Sequence, residues 1–97
     1  MSRNQTPPEK LQALTAILKA NPGTSGNAQC ARILEALGKF GLDSFEASRY
    51  LDCYYPPARV MTLRKRGHQI ETHWRTIETE SGDTHRVGLW VLNGGAA

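Results

Sequence analysis

The chain has 97 residues, 39% of them hydrophobic, and a formal net charge of +3. That is enough for one domain with its own core and too little for two. No apolar run approaches the roughly 18 residues of a membrane span, and the first residues lack the basic start and apolar stretch of a signal peptide, so a cytoplasmic protein is expected.

Residues 1–8 read as an arm. A helix is expected from Pro8 to about Ala20: a proline suits its first turn and Glu9 its positive end. Leu11, Leu14, Ile17 and Leu18 form one apolar stripe at helical period. Asn21-Pro22-Gly23 stops it. Thr24–Asn27 supplies a loop with capping residues, and the next helix carries Cys30, Ile33, Leu34 and Leu37 on one face, ending near Gly38–Gly41. A third, short helix opens around Leu42–Glu46. Asp43 with Glu46 has capping-box spacing, Ser44 is an alternative cap, and Ala47, Tyr50 and Leu51 form the inner face.

Cys53-Tyr54-Tyr55 is then a tight connection. Pro56-Pro57 starts a fourth helix, expected over Pro56–Arg66 and closed by Gly67, with Val60 and Leu63 inward. From His68 the composition shifts to Ile, Thr and Trp, which favour strands. Two strands, His68–Glu80 and His85–Leu92, about a turn at Ser81-Gly82-Asp83 make a hairpin. Ile70, Thr72 and Trp74 alternate on one face. Ile77 is out of phase, which asks for a bulge or a surface apolar residue. Residues 93–97 read as a flexible tail.

Three helices, a tight connection leading into the last, basic one, and a two-stranded hairpin make the plan of a winged helix-turn-helix. The fold class is α+β, mainly α with a β-hairpin, over residues 24–92, with residues 1–23 as an arm and accessory helix. That extra helix either packs on the core or forms a homodimer contact. Between Tyr54 and Arg75, the cations Arg59, Arg64, Lys65, Arg66 and Arg75 face Glu71 alone. The local excess is larger than the net charge of the whole chain, as a nucleic-acid footprint requires.

In such a plan the basic helix enters a DNA major groove with its N-terminal end foremost. Counting 100° per residue from Val60 and Leu63 leaves Ala58, Met61, Thr62 and Lys65 outward. Tyr55, Ala58, Arg59 and Thr62 are the candidates for base readout, arginine being the usual reader of guanine. Ser44, Arg49, Arg64, Lys65, Arg66 and Arg75 are the candidates for phosphate contact. Tyr54 suits either the groove mouth or the core. The hairpin tip, with Glu80 and Asp83, is acidic, so the fourth helix is expected to carry recognition.

The stretch from Ala31-Arg32-Ile33-Leu34 to Leu89-Trp90-Val91-Leu92 resembles a family of short winged helix-turn-helix domains of bacteriophages and prophages. The resemblance rests on Arg32-Ile33-Leu34, on Asp43-Ser44-Phe45-Glu46-Ala47, and above all on the run from Ala58 to Thr72, with its Leu63-Arg64-Lys65-Arg66-Gly67. It implies sequence-specific binding of double-stranded DNA, often in regulation of phage or mobile-element genes.

The residues for chemistry are poor. No nucleophile elbow, P-loop, paired-cysteine or His-Glu-x-x-His pattern is present. His68, His73 and His85 share no ligand spacing, and Cys30 and Cys53, 23 positions apart, fit no common zinc or redox pattern. No enzyme, metal or cofactor is expected. The alternatives to a DNA-binding regulator are a recombination or replication accessory factor and a winged-helix module that binds protein.

Overall fold

The computed structural model describes residues 6–78 and 80–93. Four helices precede a hairpin, in the expected order: α1 (Pro8–Ala20), α2 (Gly26–Leu37), α3 (Ser44–Tyr50), α4 (Pro56–Lys65), β2 (Ile70–Glu78) and β3 (Thr84–Leu92), with β1 (Leu42–Asp43) ahead of α3. β1 is not expected from the sequence. Leu42 pairs with Trp90 and Asp43 with Leu89, so the hairpin becomes a three-stranded antiparallel sheet of order β1-β3-β2. Two residues are too few to show a strand period, and the same two lead directly into a helix cap.

The apolar stripes meet in one core. Leu14 and Ile17 of α1 are buried with Cys30, Ile33, Ala36 and Leu37 of α2, Ala47, Leu51, Val60 and Leu63 around α3 and α4, and Leu42, Ile70 and Trp90 of the sheet. Fully burying an aliphatic side chain of this kind contributes about 1.5–3 kcal/mol, so α1 is bound to the core by Leu14 and Ile17 alone with several kcal/mol. Lys10 fastens it further, donating to Gly41 O at 2.6 Å and to Glu46 Oε1 at 2.9 Å. The stripe of α1 therefore faces its own domain. The outward residues Gln12, Thr15, Ala16 and Lys19 are what a homodimer contact through this helix has left to use.

The caps explain the helix starts. Ser25 Oγ accepts from Ala28 N at 3.1 Å. Asp43, rather than Ser44, caps α3: its carboxylate accepts from Glu46 N at 2.7 Å, and Glu46 Oε1 accepts from Asp43 N at 3.2 Å, the reciprocal capping box its spacing predicts. Gly67, at φ +103°, ends α4 in a conformation that a Cβ would penalise.

The hairpin register is unbroken from Ile70↔Leu92 to Glu78↔Thr84. The bulge expected near Ile77 is absent, and that side chain lies outside the described residues. Ile70, Thr72 and Trp74 do share a face, opposite Leu92, Trp90 and Gly88. That face is buried at Ile70 and Trp90, but the hairpin then runs beyond the core. Trp74 is 61% exposed, with the Arg86 guanidinium 5.0 Å from its ring centre. Asn93, expected to begin the tail, is tied back: its N–H donates to Gln69 O at 2.8 Å. The rest of the tail (94–97) and most of the arm (1–5) lie outside the described residues.

Cys30 and Cys53 are free and buried. Burial pushes the Cys53 thiol up from 9.0 to about 11, against the opposing pull of the Arg32 guanidinium. Between those values the folded chain keeps a proton that the unfolded chain has lost. The contribution of Cys53 to stability is thus full below pH 9 and declines as pH rises toward 11, by about 2–3 kcal/mol in all. Urea melts of the native chain and Cys53→Ala from pH 8 to 11 check this. The native chain should lose more stability over that range than the variant, and parallel declines would refute it.

Candidate nucleic-acid interface

α3, α4 and the segment between them form a helix-turn-helix whose turn is held from below by α2. Leu51 closes α3, and Asp52 follows at φ +51°. Cys53 N–H returns to Ala47 O at 3.1 Å. Tyr54 N–H donates to Gln29 Oε1 at 2.8 Å, and Gln29 in turn donates to Thr24 O at 2.9 Å. Tyr55 is the N-cap of α4 and stands at φ +55°. A left-handed conformation in an aromatic residue is uncommon, and it is less favourable still before a proline. Here it turns the chain into α4 while leaving Tyr55 73% exposed.

Arg32 is what holds this turn. It is 1% exposed, the largest fully buried side chain, and no carboxylate neutralises it among the described residues. Its Nε donates to Leu51 O at 2.6 Å and its Nη2 to Asp52 O at 3.3 Å. Its Nη1 donates to Asn21 O at 2.7 Å and to Gly23 O at 2.9 Å. Asn21 and Leu51 are the C-caps of α1 and α3. The guanidinium therefore sits where two helix dipoles present their negative ends, and its fork reaches the α1–α2 loop on one side and the α3–α4 turn on the other. From the sequence, Arg32 stands out only within the family resemblance. The available signal was its position beside Ile33, on the apolar side of α2.

α4 is anchored by Pro56, Val60 and Leu63, all buried. Val60 and Leu63 thus mark the buried side of the helix, as their spacing predicts. Met61, at 57% exposure, and Lys65 point outward, with Ala58 and Thr62 half-covered beside them. Tyr54, at 58% exposure, belongs to this surface and not to the core.

The polar groups of α4 are more engaged than the sequence suggests. Thr62 Oγ1 donates to Ala58 O at 3.0 Å. Arg64 donates to Ile70 O at 2.9 Å and to Thr72 Oγ1 at 3.0 Å, fastening α4 to β2. Arg66 donates to Asn27 Oδ1 at 2.8 Å. Arg59 lies along α2, so close that a Cβ on Gly26 would stand 2.5 Å from its Nη1. Its buried Nε has no hydrogen-bond partner among the described residues. The Arg59 guanidinium and the Lys65 ammonium make no hydrogen bond or ion pair among the described residues. No acid occurs on α4, so every charge on it is positive.

The remaining candidates lie away from α4. Ser44 is the first residue of α3 and half-buried. Arg49, exposed, stacks 5.7 Å from both the Phe45 and Tyr50 rings. Arg75 donates to Asp43 Oδ2 at 2.8 Å. Asp43 is wholly buried, so Arg75 neutralises a carboxylate that would otherwise be costly. The elements thus bring Tyr55, Ala58, Arg59, Thr62, Lys65 and Arg66 together on or beside one helix, and direct Arg75 to a structural ion pair.

A family model described as a winged helix-turn-helix domain matches residues 28–95. No curated protein and no solved structure matches the chain.

Proposed function

The chain belongs to the winged helix-turn-helix domain family, and from that membership we propose that it is a non-catalytic, sequence-specific binder of double-stranded DNA that lays α4 in the major groove. The observation that carries this reading is the surface of α4: a convex, acid-free helix, fixed at its base by Val60 and Leu63, with Arg59, Arg64, Lys65 and Arg66 along it. Tyr55, Ala58 and Thr62, at the leading end, face the base edges. Lys65 and Arg66, with Ser44 and Arg49 of α3, meet phosphates. Arg59 joins this second group, because its place against Gly26, at the amino end of α2, aims it at the backbone and not at the groove floor. Arg64 and Arg75 support α4 and α3 first and reach phosphate only with what their internal bonds leave.

The finer reading is a transcriptional regulator of phage or mobile-element genes working in the cytoplasm. It is supported by the likeness of the Ala58–Thr72 stretch and by two buried thiols suited to a reducing compartment. A second reading, a module that docks protein on α4, is favoured by the exposed Tyr54, Tyr55 and Met61. Selection of sites from a random duplex pool separates the two. A DNA reader enriches a defined sequence, palindromic if it binds as a dimer. A protein-docking module leaves the pool unenriched.

A further inference from the structure

Among the described residues five large hydrophobic side chains are markedly exposed, and three of them, Tyr54, Tyr55 and Met61, belong to α4 or its leading edge. Most hydrogen-bonding groups of the same helix are engaged elsewhere: Thr62 with Ala58 O, Arg64 with β2 and Arg66 with Asn27, while the Arg59 guanidinium is set back against Gly26 at the start of α2. Lys65 lies a full turn behind Met61. The leading two turns therefore present the Tyr55 ring, the Ala58 methyl and the Met61 thioether, ringed by cations.

That combination selects its occupant. A protein partner would have to satisfy an apolar centre within a rim of arginine and lysine that holds no acid on α4. The major groove of a duplex offers both features at once. Phosphates flank it, and the one apolar group on its floor is the C5-methyl of thymine. On the premise that the chain binds DNA through α4, we infer that Met61, with Tyr55 and Ala58 beside it, reads thymine methyl groups, so that the preferred site is defined by 5-methylpyrimidines and not by a guanine contacted through Arg59. The thioether is unbranched and polarisable, which suits it to an apolar contact with a base edge. The same apolar face accepts 5-methylcytosine in the same position better than cytosine.

The test uses the full chain and a duplex enriched from the random pool, with each thymine replaced in turn by uracil, which removes the methyl and nothing else. At one or two positions affinity should fall about fourfold per methyl lost. Met61→Ala should bind the thymine and uracil duplexes equally at that position, whereas Met61→Leu should still discriminate. If every thymine-to-uracil exchange leaves affinity unchanged on a duplex that binds well, this inference fails while the DNA reading stands. A loss that persists undiminished in Met61→Ala assigns the methyl to another side chain and also overturns it. A chain that enriches no duplex overturns both.

Discussion

Arg32→Ala is expected to lower the stability of the fold by about 3–5 kcal/mol. For a domain of this length the melting temperature then falls by roughly 15–30 °C. The guanidinium donates to the carbonyls of Asn21, Gly23, Leu51 and Asp52, and its removal leaves an empty volume and, at Leu51, a buried carbonyl without its side-chain donor. Arg32→Lys keeps the charge but not the fork, so one ammonium cannot span both loops and most of the loss remains. The effect also reaches function. Without Arg32, Asp52 and Tyr55 are less firmly held in their left-handed conformations, and α4 is less firmly aimed. Near room temperature, where the variant is still folded, DNA affinity should fall while the salt dependence stays that of the native chain, because no phosphate contact is lost. A melting temperature within a few degrees of native would show that the buried guanidinium is not what holds the turn.

Lys65→Glu with Arg66→Glu is expected to reduce affinity for every duplex by on the order of 100-fold near physiological salt, and to flatten the salt dependence by about two phosphate contacts. Both residues stand at the C-terminal end of α4, where a cation also complements the helix dipole. The reversal should therefore cost about 0.3–1 kcal/mol of stability per residue as well, far too little to unfold the domain. Circular dichroism separates this cost from the binding loss. Lys19→Glu with Lys39→Glu changes net charge equally at exposed positions on α1 and beyond α2, and should shift affinity no more than about twofold on general charge grounds. Equal losses in the two double variants would mean that overall charge, not α4, draws the DNA.

Much of the fold was legible because its signals are local and repeated. The α1 stripe, the Asp43–Glu46 box, Pro56-Pro57 and Gly67 each fix an element end by a single physical requirement, and the structure places α1 and α4 as those residues dictate. β1 was not legible, because its strand character comes from Leu89 and Trp90, nearly 50 residues away in sequence. The outward face of α4 was legible from Val60 and Leu63. What its polar groups do was not. A helical wheel gives the direction of Arg59, Arg64 and Arg66, but whether a long side chain reaches outward or folds back depends on Gly26, Ile70 and Asn27, residues of other elements. The same limit hid Arg32, whose carbonyl partners come from two loops. It also hid the ion pair between Arg75 and buried Asp43.

Whether α4 forms the core of a DNA-binding surface is decided by fluorescence anisotropy of the full chain on a labelled duplex across a salt series. Saturable binding is expected, its logarithmic affinity falling steeply with the logarithm of salt concentration, with a slope of roughly −3 to −5 for the four to five cations placed at phosphates. Absence of binding at low salt, or binding indifferent to salt, would contradict this role of α4.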